Sequence, residues 1–344
     1  MLLLGQPAFA DQANVFVYHR FNDSRYSSTN IALEDFRAQL ELLKQKQFTV
    51  LTLGQVVENL RTGTALPQRC AVITVDDAYR SFLTDGWPLL RQYGYPVTLF
   101  VSTDTVGGGD FLAWRELRSL QKEGVEIGNH SAGHAYLLNR LDGENDDEWA
   151  LRVTADLRLS QQAFEDHLGF SPKLFAYPYG EFSPELVALV KASGFQAAFG
   201  QQSGVVTAEQ DPFYLPRFPV GGDYVSIAGF RDKLFMKALS VDIVDPQSTV
   251  IMDENPPKLR FYMKQESVDK SSLRCFVPGP SECQIRLLNE GEGLYEVEAS
   301  QPLSGRRSKY TLTASGPHGK PWYWFSQLWV RLGGRKMPDG SVPR

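Results

Sequence analysis

Three of the chain's five histidines, and one pair of adjacent aspartates, fall where short apolar runs give way to polar residues. His19 follows Asn14-Val15-Phe16-Val17-Tyr18, Asp76-Asp77 follow Cys70-Ala71-Val72-Ile73-Thr74-Val75, and His130 follows Val125-Glu126-Ile127-Gly128-Asn129, with His134 four residues on. A spacing of four brings the two imidazoles of His130 and His134 to one face of a helical turn. Two imidazoles and a carboxylate make a donor set for a divalent metal that keeps coordination positions open. Of two adjacent aspartates, one can bind the metal while the other takes a proton from a water that the metal acidifies. Singly, each element has a plainer reading: a His-x3-His pair is more often no metal site, and Asp-Asp more often caps a turn or a helix. Their convergence carries the chemical reading.

Convergence requires a scaffold. Up to about residue 225, strands are predicted at 14–18, 48–51, 70–75, 97–101, 125–128, 173–177 and 195–199, separated by amphipathic segments. In 31–46, Leu33, Phe36, Leu40 and Leu43 recur at helical spacing; 148–168 repeats the pattern less regularly, and Ser183-Pro184 supply an N-cap and first helical residue. Strands alternating with helices predict a parallel sheet. Seven such units over roughly 215 residues suit a distorted (β/α)7 barrel, whose chemistry collects at the C-terminal strand ends. After Gly221-Gly222 the pattern changes. Strands are predicted at 259–265, 271–277, 283–290, 294–300, 308–315 and 323–332 with no helix among them, the signature of an Ig-like antiparallel β-sandwich. The expected division is a leader remnant at 1–10, an α/β barrel at 11–230, a β-sandwich at 240–335 and a tail at 336–344.

Thr74-Val75-Asp76-Asp77-Ala78 resembles the first motif, T-F-D-D-G, of the polysaccharide deacetylase family (the NodB-homology domain, carbohydrate esterase family 4). His130-Ser131-Ala132-Gly133-His134 resembles its second motif, and Ala176-Tyr177-Pro178-Tyr179 its third, R-x-P-Y. The resemblance spans residues 14–222 and implies a NodB-type barrel that removes N-acetyl groups from a polysaccharide built on N-acetylglucosamine. It implies Asp77, His130 and His134 as metal ligands, with zinc the default and nickel, cobalt or iron acceptable. It further implies Asp76 as general base and the Tyr179 N–H as a donor to the oxyanion, with the Tyr179 ring lining a sugar subsite.

The departures matter as well. No histidine lies between His167 and His318, so the late Leu-x-x-His motif that supplies the acid in many members is absent. His19 is the expected acid instead, an arrangement similar to the branch acting on poly-β-1,6-N-acetylglucosamine; the alternative is a hydrogen-bonded barrel residue. Ala176 replaces the arginine of the third motif. Arg217, in Leu215-Pro216-Arg217-Phe218, is the candidate replacement that keeps Asp76 ionised, against a simple surface ion pair. Ala78 replaces a glycine and is expected at negative φ, with a slightly altered loop. The competing functions are a peptidoglycan- or chitin-type deacetylase, an O-acetyl esterase and a silent carbohydrate-binding protein.

Composition sets the setting. The net charge of −5 divides into −7 over residues 1–239 and +2 over the rest, with nothing to suggest nucleic acid. No run approaches the ~20 apolar residues of an integral membrane segment. Met1 to Ala10 ends in Ala8-Phe9-Ala10 and reads as the remnant of a secretory signal or as a frayed apolar terminus. A periplasmic or secreted protein is expected, its partner the polysaccharide; partners in polysaccharide export are left open. Cys275 and Cys283 flank a turn-forming run and are either a disulfide across a hairpin or two free thiols, while Cys70 reads as a small buried hydrophobe. Trp322-Tyr323-Trp324-Phe325 with Trp329 favours core or interdomain packing over sugar binding. Gly107-Gly108-Gly109 reads as a flexible loop fit for a substrate lid.

Overall fold

The computed structural model describes residues 9–252, 254–263 and 265–332. All but the last two residues of the expected leader remnant, and the whole of the expected 336–344 tail, lie outside the described residues.

The first part is a curled, mainly parallel sheet wrapped by helices. Its parallel strands are β1 (Gln12–Tyr18), β2 (Thr49–Leu51), β3 (Cys70–Val75), β4 (Thr98–Val101), β5 (Glu126–Asn129), β6 (Leu174–Ala176), β7 (Ala197–Phe199) and β8 (Phe218–Pro219), and the short Val206–Thr207 pairs antiparallel with β1. Spatially the order is β7-β6-β5-β4-β3-β1, with β2 beside the start of β3 and β8 beside β1. The seven strands read from the sequence are all present. The segment around Arg217 spans the gap between the sheet's two ends, because Leu215 bridges Phe199 while Phe218 pairs with Phe16.

Strand parity explains how the site is supplied. Side chains alternate between faces along a strand. On β3, Ala71, Ile73 and Val75 pack outward under helices, whereas Cys70 and Val72 join the interior with Val15, Phe100, Ala176 and Phe199. On β1, Phe16 and Tyr18 face outward and Ala13 and Val15 inward. Residues 19 and 76 continue the inward series just past the strand ends. Gly128 makes room for this packing: a Cβ there would lie 2.4 Å from the Phe100 ring.

The helix Leu33–Gln45 buries Phe36, Leu40 and Leu43. The helix Asp146–Leu168 opens with a capping box of Asn145 and Glu148 and stops at left-handed Gly169. The helix Pro184–Ala192 starts from Ser183, whose hydroxyl accepts from the Leu186 amide. One helix corrects the sequence reading. Ile227–Leu234 follows Gly221-Gly222, capped by Ser226, and buries Phe230 against Phe16 at 4.5 Å between ring centroids. It is short and contains Gly229, so its periodicity is weak; tertiary burial supplies its stability.

The second part is a sandwich of β9 (Lys237–Ala238), β10 (Asp242–Asp245), β11 (Leu259–Tyr262), β12 (Arg274–Phe276), β13 (Cys283–Asn289), β14 (Leu294–Ala299), β15 (Arg307–Ser315) and β16 (Trp322–Val330). Among the described residues one sheet runs β9-β16-β15-β12 and the other β10-β11-β14-β13, around a core that includes Phe261, Val297, Tyr310 and Trp329. The cysteines form a disulfide, but across no hairpin: Cys275 is in β12 and Cys283 in β13, so it ties the two sheets together. The aromatic run packs as well. Tyr323 and Trp329 enter the sandwich core, while Trp324 meets Phe218 of the barrel at 5.9 Å.

Candidate active site

Asp76 sits at the floor of the site. Its amide donates to the Tyr18 carbonyl at 2.9 Å, joining the ends of β1 and β3. Arg217 reaches across the interior and donates to both carboxylate oxygens, Nη1 to Oδ1 at 2.7 Å and Nη2 to Oδ2 at 2.8 Å. The same guanidinium donates to Thr74 Oγ1 at 3.2 Å and to the Gly200 carbonyl at 2.9 Å. Both charged side chains are fully buried. Burial is the largest single influence on the Asp76 carboxyl and pushes it up; the charges of Arg217, His130 and His19 and the Arg217 hydrogen bonds outweigh it and hold the group below the usual carboxylate range. His19 is partly buried at the end of β1, and its charge acts on both Asp76 and Asp77.

One residue on, the arrangement opens. Asp77 Oδ1 is 3.5 Å from His130 Nε2 and 3.2 Å from His134 Nε2, and the three ligand atoms lie within 4.8 Å of one another. His130 Nδ1 lies 2.7 Å from the Ala176 carbonyl, an acceptor, which places the proton on Nδ1 and a lone pair on Nε2. Burial above all pushes His130 down to about 4, so the ring is neutral near pH 7. Its Nε2 lone pair therefore faces a carboxylate oxygen, acceptor against acceptor. A cation between them satisfies both, and the donor set fits a divalent metal. Burial would also lower His134, but the Asp77 hydrogen bond and charge win and raise it. Asp77 is held well below the carboxylate range, because His134, His19 and His130 together outweigh the effect of burial.

The loops carrying these groups are strained. Asp77 (φ 70°), Ala78 (φ 55°), Ser131 (φ 67°), His134 (φ 51°) and Tyr179 (φ 60°) all occupy the left-handed region. Two expectations are thereby corrected. The two histidines do not share a helical turn; residues 130–134 are irregular loop, and their rings converge to 4.8 Å between centroids. Nor does Ala78 take negative φ. Its carbonyl accepts from the Leu112 amide at 3.0 Å, and Tyr79 packs on Phe111 at 5.0 Å, so neighbouring chain holds the conformation that glycine would adopt freely. The glycine run at 107–109 belongs to this support, with the Gly107 amide donating to the Leu112 carbonyl at 2.9 Å. The histidine loop is pinned from below: Asp156 accepts from the Ala132 and Gly133 amides at 3.0 and 3.2 Å, and Ser131 Oγ accepts from the His134 amide at 3.0 Å.

Residues 63–198 match the family model described as polysaccharide deacetylase. The chain carries a polysaccharide deacetylase domain of the NodB type. The matched residues are thus a hydrolase domain. A relative in Staphylococcus aureus (strain MSSA476), poly-beta-1,6-N-acetyl-D-glucosamine N-deacetylase, is 24% identical over 223 residues, covering 62% of this chain and 76% of the relative. Among solved structures, IcaB from Ammonifex degensii has a TM-score of 0.56 at 23% identity, covering 63% of this chain and 95% of that one. The de-N-acetylase from Aggregatibacter actinomycetemcomitans has a TM-score of 0.58 at 19% identity, covering 65% and 100%. These likenesses establish the fold shared by the deacetylase domain; the sandwich lies beyond the span that the family model matches.

In the deacetylase domain, Tyr179 occupies a tight turn beside the histidines. Its ring stacks on Tyr136 at 3.9 Å and meets His134 edge-on at 4.5 Å. Burial pushes its hydroxyl up to about 12, with Tyr136 and Asp77 adding to the rise. On the opposite rim, Arg20 lies between the rings of Tyr26 and Tyr79, 3.7 and 3.4 Å from their centroids. Sequence reasoning missed Tyr136, Arg20, Tyr26 and Tyr79. The sequence signal for the first is its place two residues after His134, and for Arg20 its place beside His19. Tyr26 and Tyr79 gain their place from contacts that no spacing encodes.

Proposed function

We propose that this deacetylase hydrolyses N-acetyl groups of a β-1,6-linked N-acetylglucosamine polymer outside the cytoplasm, in the periplasm or after secretion. The observation that carries the reading is an ionised, Arg217-clamped Asp76 directly beside three converging metal-ligand atoms. The Staphylococcus aureus relative's printed activity supports the substrate class.

Asp77, His130 and His134 would hold a divalent metal, zinc by default, which supplies Lewis acidity toward water and toward developing negative charge on oxygen. Asp76 takes the proton of the attacking water; a carboxylate has lone pairs to spare beyond the two used by Arg217. The Tyr179 N–H donates to the acetyl oxygen as it becomes negative, and the Tyr179 ring offers an apolar face to the sugar. His19, on the first strand end, gives a proton to the departing amine. Acetate leaves and the polymer keeps free amines.

The test is acetate release from a β-1,6-linked N-acetylglucosamine oligomer, with and without chelator, for wild type and His19→Ala. Release that chelation abolishes and His19→Ala lowers by about a hundredfold or more supports the reading. Wild type that releases no acetate with any added divalent metal overturns it. Parallel assays on chitin-type and peptidoglycan-type glycans and on O-acetyl sugars then decide between the remaining substrates.

A further inference from the structure

The sandwich meets the barrel at several points, Thr249 on Phe182 and Lys309 on Ser203 among them, and one of its loops reaches the turn that carries Tyr179. Residues 300–306 join β14 to β15, and this loop is anchored within the sandwich. The Leu303 amide donates to Asn255 Oδ1 at 2.8 Å, and the Arg306 carbonyl accepts from the Arg331 amide at 2.8 Å. Two arginines at its end cross to the barrel. Arg306 donates through Nε and Nη2 to the two carboxylate oxygens of Glu181, each at 2.7 Å, and its guanidinium lies 4.1 Å over the ring of Tyr136. Arg307 Nη1 donates to the backbone carbonyl of Tyr179 at 3.1 Å.

These contacts converge on one short turn. Tyr179 is held at φ 60°, a conformation a tyrosine adopts only when its surroundings over-determine it. Glu181 ends the turn and is buried, with a side-chain exposure of 1%. Both of its cationic partners among the described residues, Arg306 and, at 3.9 Å, Arg307, come from the sandwich. Tyr136, under Arg306, stacks on the Tyr179 ring, which in turn meets His134. The clamp therefore touches the turn at its carbonyl, at its terminal carboxylate and at the ring stacked on it.

We infer that Arg306 and Arg307 are positioning residues of the deacetylase centre and that the sandwich is a working part of the active site. They fix the Tyr179 turn so that its amide and ring stand in register with the metal ligands. The inference rests on the proposed role of Tyr179. A fork of two parallel hydrogen bonds plus a ring contact is arginine chemistry that lysine reproduces only in charge.

The experiment uses the full chain and two readouts. Acetate release gives kcat and KM, and amide hydrogen exchange is followed in the peptide spanning 177–182, with 74–78 as internal control. Arg307→Ala, at a side chain 41% exposed, tests the carbonyl clamp with little risk to folding. Arg306→Ala and Arg306→Lys test the fork. The expected result is a fall in kcat of about tenfold or more for both alanine variants with KM little changed, and partial recovery in Arg306→Lys. Exchange rises about tenfold in 177–182 and not in 74–78. Glu181→Gln combined with Arg306→Ala loses no more than the worse single variant, as groups acting through one path should. Folded alanine variants with unaltered exchange in 177–182, or with unaltered kcat in an active wild type, overturn the inference. If wild type releases no acetate from any acetylated substrate, the proposed function fails, and exchange alone judges the clamp.

Discussion

The two neighbouring aspartates have opposite surroundings. Around Asp76 the chain supplies its own cation: Arg217 forms two hydrogen bonds to the carboxylate, and its other hydrogen bonds go to Thr74 and Gly200. Around Asp77 the chain supplies acceptors, a carboxylate oxygen and the Nε2 of a neutral His130, with His134 completing the set. The floor is electrostatically complete, whereas the mouth calls for a cation from solution. One dipeptide thus meets two environments, because consecutive residues leaving a strand point in different directions.

The sharpest way to break this comparison is to remove each charge in turn. Asp76→Asn and Asp77→Asn are both expected to lose about a thousandfold or more in kcat/KM. Only the latter should lose metal, as read by metal content after dialysis. Equal metal loss in both would erase the distinction. Next in size is Arg217→Ala. It leaves a buried carboxylate without its partner and should cost about 3–5 kcal/mol in urea unfolding. In protein that still folds, the acid limb of the pH–rate profile should move to higher pH, since the group holding Asp76 low is gone.

The mouth is sharpened by pH. In metal-free protein the His134 pKa is raised above 6.5, chiefly because Asp77 overrides the effect of burial. That proton contributes stability which is fully present below about pH 6.5 and is lost as pH rises through the raised value. Metal binding needs the ring neutral. The rise in Tm on adding zinc should therefore grow as pH increases through this window, while His130, pushed down to about 4, contributes nothing there. A zinc-induced rise that is flat with pH would sink the assignment of His134 as a ligand. The smallest effect is expected from Ala78→Gly. Relief of a left-handed Cβ, about 1 kcal/mol, is offset by the greater freedom of glycine in the unfolded chain. Tm should move by a few degrees at most, with metal content unchanged.

Much of the barrel was legible because the signals are local. Apolar runs ended by His19, Asp76 and His130 mark strand termini, and period-two alternation puts all three on one face. The Ile227–Leu234 helix was partly legible in its Ser226 cap, yet eight residues around Gly229 gave no pattern strong enough to set against a strand-rich neighbourhood. The sequence left Cys275 and Cys283 as a disulfide across a hairpin or two free thiols; that they lie in different sheets follows from β12 pairing with the distant β15 while β13 pairs with its neighbour β14.

By itself, then, the sequence determined the donor types, their order along the chain and the parity that turns them inward. Only the tertiary structure decided which groups meet. Arg217 is 141 residues from Asp76 and Arg306 is 125 from Glu181. Arg217 reaches Asp76 because its segment spans the gap between the two ends of a curled sheet, and Arg306 reaches Glu181 because a sandwich loop lies over the barrel rim. The positive φ of Asp77, Ala78 and Tyr179 has the same origin. Backbone strain is held by contacts made after folding, and a residue's own identity does not announce it.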